Sequence, residues 1–587
     1  MDNKLLKTFF RAYPIAYGLV WKENLLLSFV DIFHGLSFAA LVIVTQRFFD
    51  AMAGCLDGGG MKEQVIFLSA LLIACQVAAQ ILNGAVNFYA DVVVEKGYGK
   101  VCSLIQKKLA KAAPVNYEKN SFLDDVDKAD QGAREVCSMV DTVNSVFTFY
   151  VPYFALMGYY MYRLNPVLVM ALLLVFFPVL VTNYAQMHFG DVIEQKTAPV
   201  RRQARAYEKT LTTLDCYKET RVLGAARYFI NLYKKSISKW NRVFWRERKK
   251  EALINLGLNI FSFLAYGAIL IMLARLCAAG RISAGSFAAV VSAIDVMFLL
   301  MEEIFRDSLG NVSKNMGCVR NLLNLLDLPE DCREDVVSSG NEIMLNKVTF
   351  RYPEADRDCL NDISFRINGN ELVAIVGANG SGKTTLSKII MGIYEPDKGE
   401  VFIGGERMGK SRRCFQNISA VFQKFNRYQL SLKDNVVISN LARKENYMDA
   451  VAEVDGELKG LGKMILSREF DGIDLSGGQW QKVAIARGIY RRCKELADTG
   501  ILVLDEPTSA IDPLHEGELY RIFLKAAEGK TCIVVTHRLG LARIADRILV
   551  LKDGKVVENG KHEELLKQEG EYFKLWSAQA RWYETDR

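Results

Sequence analysis

Eight residues, Gly377-Ala378-Asn379-Gly380-Ser381-Gly382-Lys383-Thr384, leave the surrounding chain little freedom. The apolar run Leu372 to Val376 precedes them and Leu386 to Ile390 follows. Strand, glycine loop and helix is the order that a phosphate-binding loop requires. The glycines permit a backbone path that turns successive N–H groups inward, at a helix N-terminus that favours anions. Lys383 can then reach the β- and γ-phosphates, and the Thr384 hydroxyl can ligate Mg²⁺. Gly377, Asn379, Gly380, Ser381, Gly382, Lys383, Thr384 and Thr385 are therefore the candidate triphosphate contacts.

A chain of 587 residues needs at least two domains. Half of its residues are hydrophobic, yet the long apolar stretches all lie before about residue 310. They predict six membrane-spanning helices near 25–48, 65–90, 140–163, 166–187, 253–276 and 284–304. Pro178 in the fourth is expected to kink that helix rather than end it. Residues 1–22 read as an amphipathic helix at the membrane surface, with no removable signal peptide. The loops near 91–139 and 188–252 are long and rich in Lys and Arg, whereas the others are short. The positive-inside rule places those loops, both termini and the nucleotide-binding half in the cytoplasm. Both loops are read as helices running past the bilayer and turning at tips near 114–131 and 212–222. The membrane domain thus covers 1–326, a linker 327–342, and the α/β nucleotide-binding domain 343–587.

The net charge of +7 fits basic loops facing anionic lipid, and nucleic acid is not expected as a partner. The 12 cysteines contain no C-x-x-C pair, and the five histidines have no metal spacing. Neither a zinc site nor a disulfide framework is indicated.

The second half carries an ordered series of polar residues at the ends of apolar runs. Tyr352 either stacks on adenine or caps the core; its residue type does not separate the two. Gln423 ends the run Ser419 to Val421-Phe422. By itself it reads more readily as an ordinary strand-end glutamine than as a contact to Mg²⁺ or the attacking water. Leu475-Ser476-Gly477-Gly478-Gln479 opens a helix and forms a second anion site. One chain binding one ATP does not need two such sites, whereas two chains facing head to tail do. Ile501 to Leu504 is a buried-strand run ending in Asp505, placed to hold Mg²⁺, and Glu506, placed as general base. Ser509 to Asp512 follows, then Thr531 to Thr536, with His537 at the end as a γ-phosphate contact.

In this order the motifs resemble an ABC ATPase, and the six-span region ahead of them resembles an exporter-type ABC half-transporter. The Leu475 to Gln479 signature is the most specific element. The resemblance implies that Tyr352 stacks on adenine and that 377–384 form Walker A. It implies Gln423 in the Q-loop, Asp505 and Glu506 as Walker B and catalytic base, Asp512 in the D-loop, and His537 as switch histidine. The loop tips resemble coupling helices. The stretch Arg468 to Asp474, with Trp480 and Gln481, is closer to bacterial exporters of lanthipeptides and similar peptides. The resemblance implies ATP and Mg²⁺ as cofactors, a homodimer or a similar partner chain, and a peptide cargo, with lipid or drug export as the alternative and a non-transporting membrane ATPase or sensor as the third reading. Asp31, Asp295, Glu302 and Glu303, near or inside the bilayer, raise the expectation of an acidic substrate path.

Overall fold

In the computed structural model of the chain, the described residues are 3–56, 60–304, 310–338, 340–409, 411–442, 446–491, 500–507 and 513–584. They divide into two compact units. The first comprises 1–110 and 124–328; the second comprises 111–123 and 329–587.

The first unit is helical. Its helices are α1 (Asn3–Leu19), α2 (Trp21–Leu56), α3 (Lys62–Ala110), α4 (Asn120–Ser145), α5 (Val151–Leu164) and α6 (Pro166–Thr212). They continue as α7 (Leu214–Val222), α8 (Ala226–Ala278), α9 (Ala284–Glu302) and α10 (Gly310–Leu326). Among the described residues, α2, α3, α8 and α9 are long and apolar enough to cross a membrane by length and composition. At ~1.5 Å rise per residue, the 53 residues of α8 extend far beyond a hydrocarbon core of about 30 Å. Many large apolar side chains point outward, including Phe67, Phe88, Phe263 and Leu264. Inside, Tyr153, Met157 and Met161 of α5 pack with Leu273 of α8 and with Val290, Ile294 and Met297 of α9.

Two local features depart from the sequence reading. The stretch expected as one span, 140–163, is α4 and α5 joined by a π-turn at Val146–Tyr150. Pro152 has no N–H to give the carbonyl four residues back, and the wider turn accommodates that loss. The first tip is also shorter than 114–131. It is a 3₁₀ turn at Pro114–Glu118, and α4 has begun by Asn120. Phe122, Ala129, Ala133 and Val136 are buried at helical spacing, so the returning helix claims residues that read as loop. Helix α6 runs through Pro178 and Pro199 without ending. In α1, Ala12 and Ala16 are buried while Leu6, Phe10 and Ile15 are exposed, and Arg11 pairs with Asp327 beyond α10.

Besides a short parallel pairing of Glu334–Asp335 with Arg412–Arg413, the second unit contains two sheets. One is antiparallel, built from β1 (Ile343–Phe350), β2 (Leu360–Ile367), β4 (Lys398–Ile403) and β5 (Glu406–Met408) in the order β2-β1-β4-β5. The other contains β3 (Leu372–Gly377), β6 (Ile418–Val421), β7 (Ile501–Asp505), β8 (Thr531–Val535), β9 (Arg547–Lys552) and β10 (Lys555–Gly560). Its order is β10-β9-β3-β8-β7-β6, parallel except for β10. Strands β7 and β8 are buried throughout, which is why they read as unbroken aliphatic runs. The register sets Ile375, Val535 and Asp505 side by side across β3, β8 and β7. Three functional loops therefore leave the same edge of the sheet, where ligands of open α/β sheets bind.

Residues 111–123 complete this unit. Ala112 bridges to Glu330, the Asp331 N–H donates to the Lys111 carbonyl at 2.6 Å, and Val115 packs against the core. The Tyr394 hydroxyl donates to the Glu118 carboxylate, and Lys388 Nζ lies 3.3 Å from the same oxygen.

Candidate functional site

The loop after β3 has the geometry its glycines dictate. Gly377 has φ +152°, and a Cβ there would lie 2.2 Å from the Leu551 carbonyl oxygen. Gly382 has φ +101° as N-cap of α11 (Lys383–Ile390), and its Cβ would meet Leu360 and the Cys359 carbonyl. Side chains at either position would reshape the loop. Lys383 is buried, with Nζ donating to the carbonyls of Gly377 and Ala378 at 2.9 Å each. Burial holds its amino group below the ordinary lysine range, against the pull of Glu506 and Asp505. The Ser381 hydroxyl is buried with no hydrogen-bond partner. An orphaned hydroxyl and a buried ammonium folded onto its own loop are what a phosphate chain would satisfy, so these residues fit a bound triphosphate.

Asp505 ends β7 and is only 2% exposed. Its Oδ1 accepts from the Thr384 hydroxyl at 3.5 Å. Burial, and then the charge of Glu506, push its pKa up to about 6. A hydroxyl beside a carboxylate is an oxygen donor pair suited to Mg²⁺, and both groups fit that ion.

Glu506 is the centre of a three-residue cluster. Its backbone is left-handed, φ +46°, which is costly for a residue with a Cβ and frequent at working sites. The N–H of Glu506 is held by the Val535 carbonyl at 2.8 Å. One carboxylate oxygen accepts from the Gln423 amide, and the other lies 3.1 Å from His537 Nδ1. Gln423, Glu506 and His537 come from three different loops, and the parallel register brings them together. Gln423 therefore binds Glu506 here rather than Asp505 or Thr384.

Tyr352 meets the helix that follows the phosphate loop. Its hydroxyl is 3.1 Å from Thr385 Oγ1, its ring stands edge-on to Tyr394 at 5.8 Å, and it packs against the core. It also lines an open cleft with Val115, Lys119, Glu354 and Glu395, so it both caps the core and faces space for a base.

Ser476 is the N-cap of α12 (Gly477–Tyr490) in a reciprocal capping box with Gln479. The Gln479 N–H donates to Ser476 Oγ at 3.3 Å, and the Ser476 N–H donates to Gln479 Oε1 at 3.0 Å. Ser476, Gly477 and Gln479 are exposed, and Gly478 is half-buried. Among the described residues, no hydrogen bond joins this turn to the phosphate loop of the same chain. Asp512 and Ser509 lie outside the described residues.

Two features were not legible in the sequence. The Gln481 amide donates to the Pro507 carbonyl, tying α12 to the loop after Glu506. Lys388, one helical turn beyond Thr384, meets Glu118 and Tyr394. Helical spacing points from Thr384 to Lys388, but nothing local pairs Lys388 with a residue 270 positions away.

Residues 25–301 match the family model for the ABC transporter transmembrane region, and residues 360–509 match the model described as ABC transporter. The chain belongs to the ABC transporter family. It is 31% identical over 396 residues to the subtilin transport ATP-binding protein of Bacillus subtilis, covering 64% of this chain and 62% of that protein. The nisin transport ATP-binding protein of Lactococcus lactis subsp. lactis is 28% identical over 437 residues, 69% and 70% of the two chains. An ATP-dependent lipid A-core flippase of Alkalilimnicola ehrlichii is 29% identical over 377 residues, 62% of each. The transporter thus spans a little under two thirds of the subtilin protein's length. A solved structure titled as a bacterial Atm1-family ABC exporter with ATP bound matches with a TM-score of 0.80 at 20% identity, covering 95% of this chain and 99% of that one. That likeness concerns the fold. The transporter is a multi-pass membrane protein with an α/β ATPase domain that binds ATP.

Proposed function

We propose that this transporter hydrolyses ATP to export a peptide cargo from the cytoplasm, as a dimer of identical or similar chains. Supporting the chemistry is the single cluster in which Gln423 and His537 both meet Glu506 at the edge of the sheet. In this reading Glu506 is the general base for the attacking water, Gln423 orients the water, and His537 contacts the γ-phosphate. Lys383 and the N–H groups of Gly377, Asn379, Gly380, Ser381 and Gly382 hold the phosphates, with Thr384 and Thr385 at the helix start. Tyr352 stacks on the base. Thr384 and Asp505, with Gln423, would hold Mg²⁺, which when bound neutralises charge on the phosphate oxygens.

The signature turn supports the dimer. Ser476, Gly477, Gly478 and Gln479 present N–H groups at an exposed helix N-terminus and serve the γ-phosphate held by a second copy, with Asp512 at the same contact. ATP then favours the closed pair because only that state offers both sets of contacts. We assign 1–326 to the membrane domain, 327–342 to the linker and 343–587 to the ATPase domain, with the latter and both termini cytoplasmic. The helical turn at 114–118 and α7 are the coupling tips.

Peptide cargo is favoured by the subtilin and nisin transport proteins among the relatives. The lipid A-core flippases favour the alternative, lipid export. The full chain in liposomes decides between them. A cationic lanthionine peptide should stimulate ATPase activity and accumulate inside inverted vesicles. Stimulation by lipid A alone selects the lipid reading, and ATP turnover that moves neither rejects export.

A further inference from the structure

The membrane unit holds a set of buried polar groups that the ATPase reaction does not use. It lies where α1, α2 and α3 meet the end of α4 and the π-turn. Asp31 and His34 of α2 are 3% and 6% exposed, and Asn24, two turns before Asp31, is fully buried. Asp31 Oδ2 lies 2.5 Å from Thr148 Oγ1, and Asp31 Oδ1 lies 4.0 Å from His34 Nδ1. Among the described residues, neither Asp31 nor Asp141 has a Lys or Arg within ion-pair distance. Asp295 is exposed and accepts from Tyr266 at 2.9 Å, whereas Asp31 is enclosed.

A count of hydrogens shows what is missing. Thr148 Oγ1 lies within bonding distance of two acceptors, Asp31 Oδ2 and the Asn144 carbonyl oxygen at 2.8 Å, but a hydroxyl has one proton. If Thr148 donates to the carbonyl, as threonine commonly does in a helix, the short contact to Asp31 needs a proton on the carboxyl. His34 makes the second, independent point. Its ring is stacked on Phe149 at 4.7 Å and edge-on to Phe38 at 5.1 Å, and its Nε2 is buried with no partner. An imidazole with one nitrogen towards a carboxyl and the other free can take up a proton on one side and release it on the other. The remaining groups bring no compensating cation. They are Tyr13 of α1, donating to Asn144 Oδ1 at 2.7 Å, Asp91 of α3, Asp141 of α4, Tyr150 of the π-turn, and Glu303 beyond α9. Tyr153 of α5 has a buried hydroxyl without a partner, and Glu23 of α2 faces Lys96 at 3.9 Å. Unpaired carboxylates in such surroundings neutralise by taking a proton, and ionisable groups inside membrane domains mark ion pathways.

We propose that Asp31, Thr148 and His34 form a buried proton-binding site in the membrane unit. Asp31 holds the proton and donates to Thr148 Oγ1, while Thr148 donates to the Asn144 carbonyl. Shifting that proton from the Asp31 carboxyl to neutral His34 gives carboxylate and imidazolium with no change in the net charge of the pair.

The test is infrared difference spectroscopy of the full chain in lipid at neutral pH, in H₂O and D₂O, with Asp31→Asn, Thr148→Val and His34→Gln. Wild type should show a protonated-carboxyl C=O band that shifts in D₂O. Asp31→Asn should remove it, and Thr148→Val should move it without removing it. ATPase activity should vary with pH in wild type and flatten in both Asp31→Asn and His34→Gln. Undiminished ATP binding verifies that each variant is folded. A spectrum with no band that Asp31→Asn removes overturns the proposal. So does dependence of activity on replacing Na⁺ and K⁺ with N-methylglucamine that Asp31→Asn abolishes, because a metal cation would then occupy the site.

Discussion

Asp505→Asn should stabilise the nucleotide-free protein while disabling it. Asp505 is enclosed at the end of β7, and its pKa rises from 3.8 to about 6, chiefly through burial and then through Glu506. At ~1.36 kcal/mol per tenfold, ionising it in the folded state costs about 3 kcal/mol relative to the unfolded chain. The sign follows from the raised value. The folded state binds the proton more tightly, so this contribution is complete below about pH 3.8 and is lost as pH rises through about 6. Asparagine keeps an oxygen for the Thr384 hydroxyl and removes the charge. Thermal unfolding of the ATPase domain, followed in the full chain with a chelator present, is the assay. Between pH 5 and 7.5 the wild type should lose stability, and the variant should lose less and melt higher at pH 7.5. In the presence of Mg²⁺ and ATP the order should reverse, because the wild-type charge then has a cation. A nucleotide-free variant that melts lower than wild type at pH 7.5, or that keeps the full pH dependence, refutes the burial argument.

Glu506→Gln keeps one acceptor oxygen in the cluster, puts an NH₂ donor where the other oxygen was and removes the base, so turnover should fall about 10²- to 10⁴-fold while fluorescent ATP analogues still bind. Near-normal turnover would remove Glu506 from its role. Gly377→Ala drives a methyl to 2.2 Å from the Leu551 carbonyl oxygen and should abolish ATP binding in the same assay. Glu118→Lys breaks the contact with Lys388 on the Walker A helix. For a half-exposed pair of about 1 kcal/mol, the ATP concentration giving half-maximal turnover should rise about fivefold. Adding Lys388→Glu should restore it, whereas two independent losses would mean that the pair does not act as a unit.

The candidate nucleotide site was legible because each part combines a local spacing with a strand end. Gly377 to Thr384, Asp505-Glu506 and His537 each follow an aliphatic run, and a parallel sheet delivers such ends to one edge. Gln423 read as an ordinary strand end because its partner, Glu506, lies 83 residues away. The same limit hid the contact between Glu118 and Lys388. The start of α4 was misplaced because Asp124, Asp125, Asp127 and Lys128 look like loop, although Phe122 and Ala129 already follow the buried stripe. Asp31 stood out as an acid in an apolar run with His34 one helical turn on, but nothing local pairs it with Thr148, 117 residues away.

The claim on which the transport account rests is that two chains share each ATP. Nanodiscs loaded with one or with two copies of the full chain, and compared for ATP turnover per chain, test it most directly. The account predicts turnover from the two-copy discs and almost none from the one-copy discs, whose signature turn has no phosphate to meet. Equal turnover per chain in both would contradict it.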